Sequence, residues 1–507
     1  MSTSHPSSST GTGTTVIPGR RDDLAWLIGL GVLSAVVYAW AFPYRFPLVH
    51  LYDIPFIDLG KLTKHTHAGA LNFALSVLVL FLLYYAAYKL IRGQTSRRWG
   101  MTMLAFAVGF FVILILTYPI GAGDVFDYML GGRILAYYRV NPYTHAGADF
   151  LPGDPFAPYA PYYRHPSYYG PLWTLLAAGI NLLAGTGNLL ANLWAFKALA
   201  LIFYLADVGL IYLIVRELHP GRALDAAFLF AWNPLVLFET AVNAHNDVVM
   251  MAFVLLGVYL FQRRHYHGMI ATVVASALIK AASAFLIPVF VLAALWALPN
   301  WRRRITFLIT GGLVAVGVTV LLYLPFWEGR QIITVGRRLG MFTSSFPTLL
   351  MLLLRFRLPQ ESAKLIASSL ATVVFATFYA WQMWKLRGSV ESLIRTSYAL
   401  TLFFLLFICL WFQPWYIIWV IALAALLSQP DAICQSALFT YSGTWAYVVY
   451  HFAWFWYVPV MNWGNTLGVH TTAVVAIFTL PLAYGIYRLA RTPDHRTPSD
   501  HCRQLTR

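Results

Sequence analysis

Residues 121 to 145 read Gly-Ala-Gly-Asp-Val-Phe-Asp-Tyr-Met-Leu-Gly-Gly-Arg-Ile-Leu-Ala-Tyr-Tyr-Arg-Val-Asn-Pro-Tyr-Thr-His and leave a long apolar run carrying two acids and two arginines. A carboxylate aimed at a hydroxyl can accept its proton, so this stretch is the first candidate for chemistry. At 100° per residue, Asp124, Asp127, Tyr128, Gly131, Leu135 and Tyr138 share one helical side, while Phe126, Met129, Leu130, Arg133 and Tyr137 share the other. Glycine disfavours a helix by about 1 kcal/mol relative to alanine, so the Gly131-Gly132 pair is expected to clear space beside the two carboxylates. The competing reading is an amphipathic helix lying on a bilayer with both acids solvated.

Other reactive side chains are scattered but fall in identifiable places. Lys280 sits at the bend of an apolar hairpin, where an ammonium is either functional or snorkels to the surface. His245 and Asp247, in the turn Asn243-Ala244-His245-Asn246-Asp247, either shape a substrate site or cap a helix pair. Tyr128, Tyr143, Tyr168, Trp415 and Tyr416 suit the apolar faces of sugars, and equally suit an interfacial aromatic belt. No Cys/His spacing of a metal site is present, so a divalent ion is possible but not indicated and no cofactor is required.

The elements that must position these residues are membrane helices. Of 507 residues, 59% are hydrophobic and 11% charged, against roughly 25% charged in soluble domains, which identifies an all-α polytopic membrane protein. The net charge of +16 is spread over short loops and is no nucleic-acid footprint. Cys409, Cys434 and Cys502 suggest no disulfide framework. Residues 1–19, rich in Ser, Thr and Gly, read as a disordered cytoplasmic tail without a signal peptide. Residues 20–490 read as one transmembrane domain, and 491–507 as a basic cytoplasmic tail.

Basic clusters at Arg20-Arg21, at Lys89 to Arg98, at Arg216 to Arg222, at Arg263-Arg264 and at Arg302 to Arg304 are assigned to the cytoplasm. Asp124, His245 and Lys280 then fall outside. That assignment holds only if the short apolar segment 170–185 does not cross. Spans are expected near 24–42, 68–91, 100–120, 189–216, 225–243, 247–262, as a short hairpin over 265–300, and near 305–326, 363–385, 393–411, 414–429, 437–458 and 470–490. The total is about 14 (13–14), with both termini inside. Arg133, Arg139, Arg164, Arg330, Arg337 and Arg338 also fall outside, where few cations are expected, so either an anion such as a lipid phosphate is handled there or they pair with Asp149, Asp154 and Glu328.

In order along the chain, Gly-Asp-Val-x-x-Tyr-x-x-x-Gly-Arg (123–133), Asn-Pro-Tyr (141–143), Tyr-Gly-Pro-Leu (169–172), Trp-Asn-Pro-Leu (232–235), His-Asn-Asp (245–247), Leu-Ile-Lys (278–280) and Gln-Pro-Trp-Tyr (413–416) resemble the polyprenyl-phosphate-dependent GT-C glycosyltransferases. The similar branch is the bacterial α-mannosyltransferases of lipoglycan and mannan synthesis. The resemblance covers roughly residues 100–430. It implies a helical bundle with juxtamembrane helices in a large first outer loop, the catalytic loop at about 121–188. It further implies transfer of a sugar, mannose or another hexose, from a polyprenyl-phosphate donor to a hydroxyl of a glycan or lipid acceptor, on the outer side of a bacterial cytoplasmic membrane.

By the same resemblance Asp124 matches the acid that acts as base, with Asp127 a second acid of less defined role. Lys280, with Arg337 or Arg338, is expected to hold the donor phosphate, and Arg133, His245, Asp247, Tyr128, Trp415 and Tyr416 complete the expected substrate contacts. The rival classes are a lipid-linked glycan transporter or flippase and a ligase or acyltransferase of the cell envelope. The transporter fits less well because the acids gather in one outer loop and no repeated halves are visible.

Overall fold

A computed structural model describes residues 21–55, 57–329, 341–457 and 463–491. Among them the regular structure is helical, and the only strand-like pairings are two isolated bridges, Pro47 with Thr117 and Thr343 with Trp411. The main hydrophobic core draws on residues from Leu27 to Phe478, with two small clusters beside it, one at Met351, Leu352, Ala363 and Ala367 and one at Tyr143 and Phe326.

Eight helices among the described residues are long and apolar enough to cross a bilayer: Asp23–Ala41, His67–Ile91, Arg97–Ile115, Leu189–Leu218, Trp301–Phe326, Gln360–Lys385, Val390–Ile408 and Thr466–Arg491. Their outer faces keep large apolar side chains such as Leu82, Ile309, Leu313, Val316, Leu321 and Val373 exposed, as a lipid-facing surface requires. A ninth span results if Pro220–Ala231 and Pro234–Val242 are counted as one helix bent by 50°. Among the described residues these helices do not confirm the expected total of about 14 (13–14). Several runs expected to span are short helices: Asp247–Gln262, Tyr266–Ala277, Ile287–Ala297 and Ile417–Leu426 have 16, 12, 11 and 10 residues. Every residue of Ile417–Leu426 is buried, so that run is apolar because it fills the core rather than because it meets lipid. The segment expected at 437–458 is broken among Pro430–Gly443, Trp445–Val448, Val449–Ala453 and Trp454–Tyr457.

The bend at 232–234 follows from its residues. Asn233 caps the second half by accepting the N–H groups of Leu235 and Val236 at 3.0 and 3.3 Å, and Pro234 takes the first helical position, where its missing N–H is harmless. The end of that half is clamped by Lys197, fully buried, which donates to the carbonyls of Thr117, Ala241 and Val242 at 3.0, 2.7 and 2.6 Å. A lysine at a helix C-terminus satisfies carbonyls that the helix leaves open.

The first large loop is built around two helices, Asp124–Ala136 and Pro171–Ala184. The second has 14 residues, which is about 21 Å of helix against a hydrocarbon core of about 30 Å, so it is too short to cross. A side chain on Gly132 would meet the carbonyl oxygen of Ala177 at 2.5 Å, and so Gly132 lets these two helices touch. Only Gly131 serves the acids in the expected way, lining a cavity of about 30 Å3 beside Asp127. Nor does the first helix lie solvated on a surface: Asp124, Val125, Phe126, Tyr128, Met129, Leu130, Gly132, Arg133 and Ile134 are all buried.

Candidate functional site

Asp124 is the first residue of its helix and Asp127 lies within the first turn, where the positive end of the helix dipole favours a carboxylate. The approach to it is pinned by Asn243, whose side-chain oxygen accepts the N–H of Gly121 at 3.0 Å. Asp124 is 9% exposed. Its Oδ1 accepts the Tyr169 hydroxyl at 2.6 Å and its Oδ2 lies 3.8 Å from Nε2 of His245. Asp127 is engaged differently, its Oδ1 accepting the backbone N–H of Tyr162 at 2.9 Å, which ties the helix to the Pro- and Tyr-rich part of the loop.

His245 stands between two acids. Its Nδ1 is 3.0 Å from Oε2 of Glu239, out of line for a hydrogen bond, so the contact is ionic rather than directional. Glu239 is fully buried and held by Asn243, which donates to Oε2 at 3.0 Å, and by the Tyr447 hydroxyl, which donates to Oε1. Burial alone pulls the imidazole toward neutrality, but Asp124 and Glu239 outweigh it and raise its pKa from 6.5 to about 9. His245 is thus a cation at neutral pH, stacked on Trp415 with ring centroids 4.0 Å apart.

A second charged group is built on Asp247, two residues after His245. Lys280 donates to both carboxylate oxygens of Asp247, at 2.9 and 2.8 Å, and Asp247 also accepts the Trp419 indole N–H at 2.7 Å. The Lys280 side chain is 11% exposed and Asp247 is fully enclosed. The ammonium sits 4.7 Å from the ring centre of Tyr416 and 5.8 Å from that of Trp419. Lys280 falls at the break between the hairpin helices Tyr266–Ala277 and Ile287–Ala297. The break is docked on the first loop: the N–H of Gly170 donates to the Ile279 carbonyl and that of Leu172 to the Leu278 carbonyl, both at 3.0 Å. Tyr169, which holds Asp124, and Lys280 are therefore fixed to the same short stretch of backbone.

Of the residues expected from sequence, the structure gathers Asp124, His245, Asp247, Lys280, Trp415 and Tyr416 around this cluster. Tyr128 stands behind it, fully covered, packing edge-on against Tyr169 and Trp173 at 4.8 Å each. Arg133 is buried in a pair with Asp154, Nε to Oδ2 at 2.6 Å, and lies against the rings of Tyr137 and Phe156. Asp154 further accepts the N–H groups of Phe156 and Ala157, so this pair organises the loop, as the pairing alternative expects. Arg337 and Arg338, like Arg330, lie outside the described residues. Sequence reasoning missed Glu239, Asn243, Trp419 and Tyr447. Among the described residues no group of His, Cys, Asp and Glu side chains is placed to hold a metal ion.

Comparison with known proteins points in one direction. A family described as alpha-(1->6)-mannopyranosyltransferase, N-terminal domain, matches residues 30–297, just over half of the chain. Alpha-(1->6)-mannopyranosyltransferase A of Mycobacterium tuberculosis (strain ATCC 25618 / H37Rv) is 24% identical over 405 residues, covering 71% of each chain. Alpha-(1->6)-mannopyranosyltransferase B of Corynebacterium glutamicum is 22% identical over 256 residues, 48% of this chain and 42% of that one. Its counterpart A from the same organism is 25% identical over 178 residues, 35% of this chain and 36% of that one. The family match spans Asp124, Glu239, His245, Asp247 and Lys280, whereas Trp415 and Tyr416 lie beyond it.

Proposed function

We propose, from the premise that this chain belongs to the alpha-(1->6)-mannopyranosyltransferase family and is a glycosyltransferase, that it moves a mannosyl unit from a polyprenyl-phosphate donor to a hydroxyl of a glycan or lipid acceptor. The site faces the extracytoplasmic side of a bacterial inner membrane, with both termini in the cytoplasm. By the names of its relatives, the accepting group is the 6-hydroxyl of a hexose.

In this reading the bond between the anomeric carbon and the phosphate oxygen breaks, the electron pair leaving with the phosphate. The acceptor oxygen forms the new bond to that carbon and its proton passes to Asp124. Lys280 meets the charge that grows on the departing phosphate, and Asp247 fixes where the ammonium stands. Arg337 or Arg338 shares that charge. Tyr169 and His245 hold Asp124 in one orientation.

The observation that carries the proposal is this difference between the two acids. Asp124 meets the Tyr169 hydroxyl and the His245 imidazole inside a cluster of functional groups, while Asp127 accepts the backbone N–H of Tyr162 in its own loop. Asp124→Asn should lower single-turnover transfer by about a hundredfold to ten-thousandfold while leaving donor affinity nearly intact. Asp127→Asn, which keeps an acceptor for the Tyr162 N–H, should stay within about tenfold of wild type. The reverse ranking of the two variants moves the base to Asp127.

A further inference from the structure

Trp415 does more than stack on His245. It is also a wall of a cavity of about 230 Å3 whose other walls include Trp411, Gln413, Tyr447, Tyr450 and His451. We infer that this cavity seats the terminal sugar of the acceptor, an uncharged saccharide, an inference that rests on the glycosyl-transfer reading above.

The chemistry of the walls sets the ligand class. Among the described residues no Lys, Arg, Asp or Glu lines the cavity, and its one histidine, His451, faces the Gly121 carbonyl and Asp58. The rings of Trp411, Trp415 and Tyr447 offer flat apolar faces of the kind that the C–H faces of a pyranose cover. Polar groups are interspersed among them: the hydroxyls of Tyr450 and Thr343 lie 3.1 Å apart, and the half-buried side-chain amide of Gln413 has no hydrogen-bond partner among the described residues. An amide supplies both donors and an acceptor, as a sugar hydroxyl needs. The volume falls below the roughly 300–1,000 Å3 of pockets for larger ligands, which suits one sugar ring with the rest of the glycan trailing out.

Its position relative to the charged cluster sets the role. Pro414–Tyr416 is a single tight turn, and its two aromatic residues face different partners: the Trp415 ring covers His245 and lines the cavity, while the Tyr416 ring lies under Lys280. Tyr447 lines the cavity and donates to Glu239, and Gly121 lines it three residues before Asp124. The cavity thus adjoins the Asp124, His245 and Glu239 group through Gly121, Trp415 and Tyr447, and Lys280 stands beside Tyr416, the next residue after Trp415. That arrangement brings an uncharged acceptor to the base and leaves the ammonium for an anionic leaving group.

The test uses the full-length protein in detergent and a methyl glycoside of α-1,6-linked mannobiose as probe, with binding read by ligand-observed NMR and transfer by initial rates. Gln413→Ala and Trp411→Leu should each weaken probe binding about tenfold and raise the acceptor KM by about the same factor, with the donor KM within twofold of wild type. Tyr450→Phe, which removes one oxygen only, serves if the larger change fails to fold. Probe binding unchanged in the folded variants, or absent in wild type at millimolar probe, overturns the cavity assignment; wild-type transfer from a polyprenyl-phosphate sugar would leave the reaction standing. Conversely, no transfer by wild type together with variant-sensitive probe binding refutes the reaction and keeps the sugar site.

Discussion

At the scale of single residues, the site is a problem of charge. Asp124 and Glu239 are two acids on either side of one imidazole in a space with little water, and His245 is what makes their coexistence tolerable. Because its pKa in the folded protein is raised to about 9, its ion pairs contribute their full stability below the ordinary value of 6.5 and lose it as the pH rises through about 9. The groups that face the ring are Asp124, Glu239 and the uncharged Trp415. Thermal unfolding of the detergent-solubilised protein should therefore shift to lower temperature between these pH values, and His245→Gln should remove that part of the shift while lowering the melting temperature at pH 6. A pH dependence identical in the two proteins would show that the histidine is neutral in the fold. Glu239 was legible in principle, since an ionisable residue within an apolar run is a site candidate by default, but it was hidden by a run that otherwise reads as an ordinary span. Arg133 was drawn toward the site by its side of the membrane; its ring contacts and Asp154 depend on a fold of the loop that no local pattern announces.

At the scale of elements, the Leu-Ile-Lys hairpin was legible as a bend, and it bends where its charge falls. Asn-Pro at 233–234, which stops one helix and caps the next, lies inside the run expected to span unbroken over 225–243. That the start of the Pro171–Ala184 helix docks on this bend was not legible, because it is a backbone contact between residues more than a hundred positions apart. Gly170 is where the two meet: a side chain there would lie 2.1 Å from the Leu278 carbonyl oxygen, a distance at which the backbone must move. Gly170→Ala should destabilise the protein by about 1–3 kcal/mol and, by displacing Tyr169 and Lys280 together, lower transfer more than the equivalent change at Gly179, which has nothing near it. Equal melting temperatures and rates for the two variants would mean that the docking does not hold the site.

At the scale of the whole molecule, composition sufficed for a helical membrane protein, whereas the number of crossings did not follow from apolar length. Asp247–Gln262 and Ile417–Leu426 are as greasy as spans because they are wrapped by other helices, and hydropathy does not distinguish a neighbouring side chain from a lipid. Sidedness is open to labelling at exposed positions, since Asp124 and His245 are too enclosed for a bulky reagent. In a background without Cys409, Cys434 and Cys502, Tyr137→Cys and Trp327→Cys, at sites 55% and 71% exposed, should react with an impermeant thiol reagent in intact cells. Cysteines at the exposed Arg98 and Arg302 should react only after permeabilisation, and the opposite pattern would place the site in the cytoplasm. The most direct measurement supplies the purified protein, free of carrier lipid and of carrier-loading enzymes, with a polyprenyl-phosphate mannose and the matching nucleotide mannose in parallel reactions, each with the same acceptor. Mannosyl transfer from the lipid donor alone is the expected result; transfer from the nucleotide donor alone would contradict the donor class, the outward-facing site and the role given to Lys280.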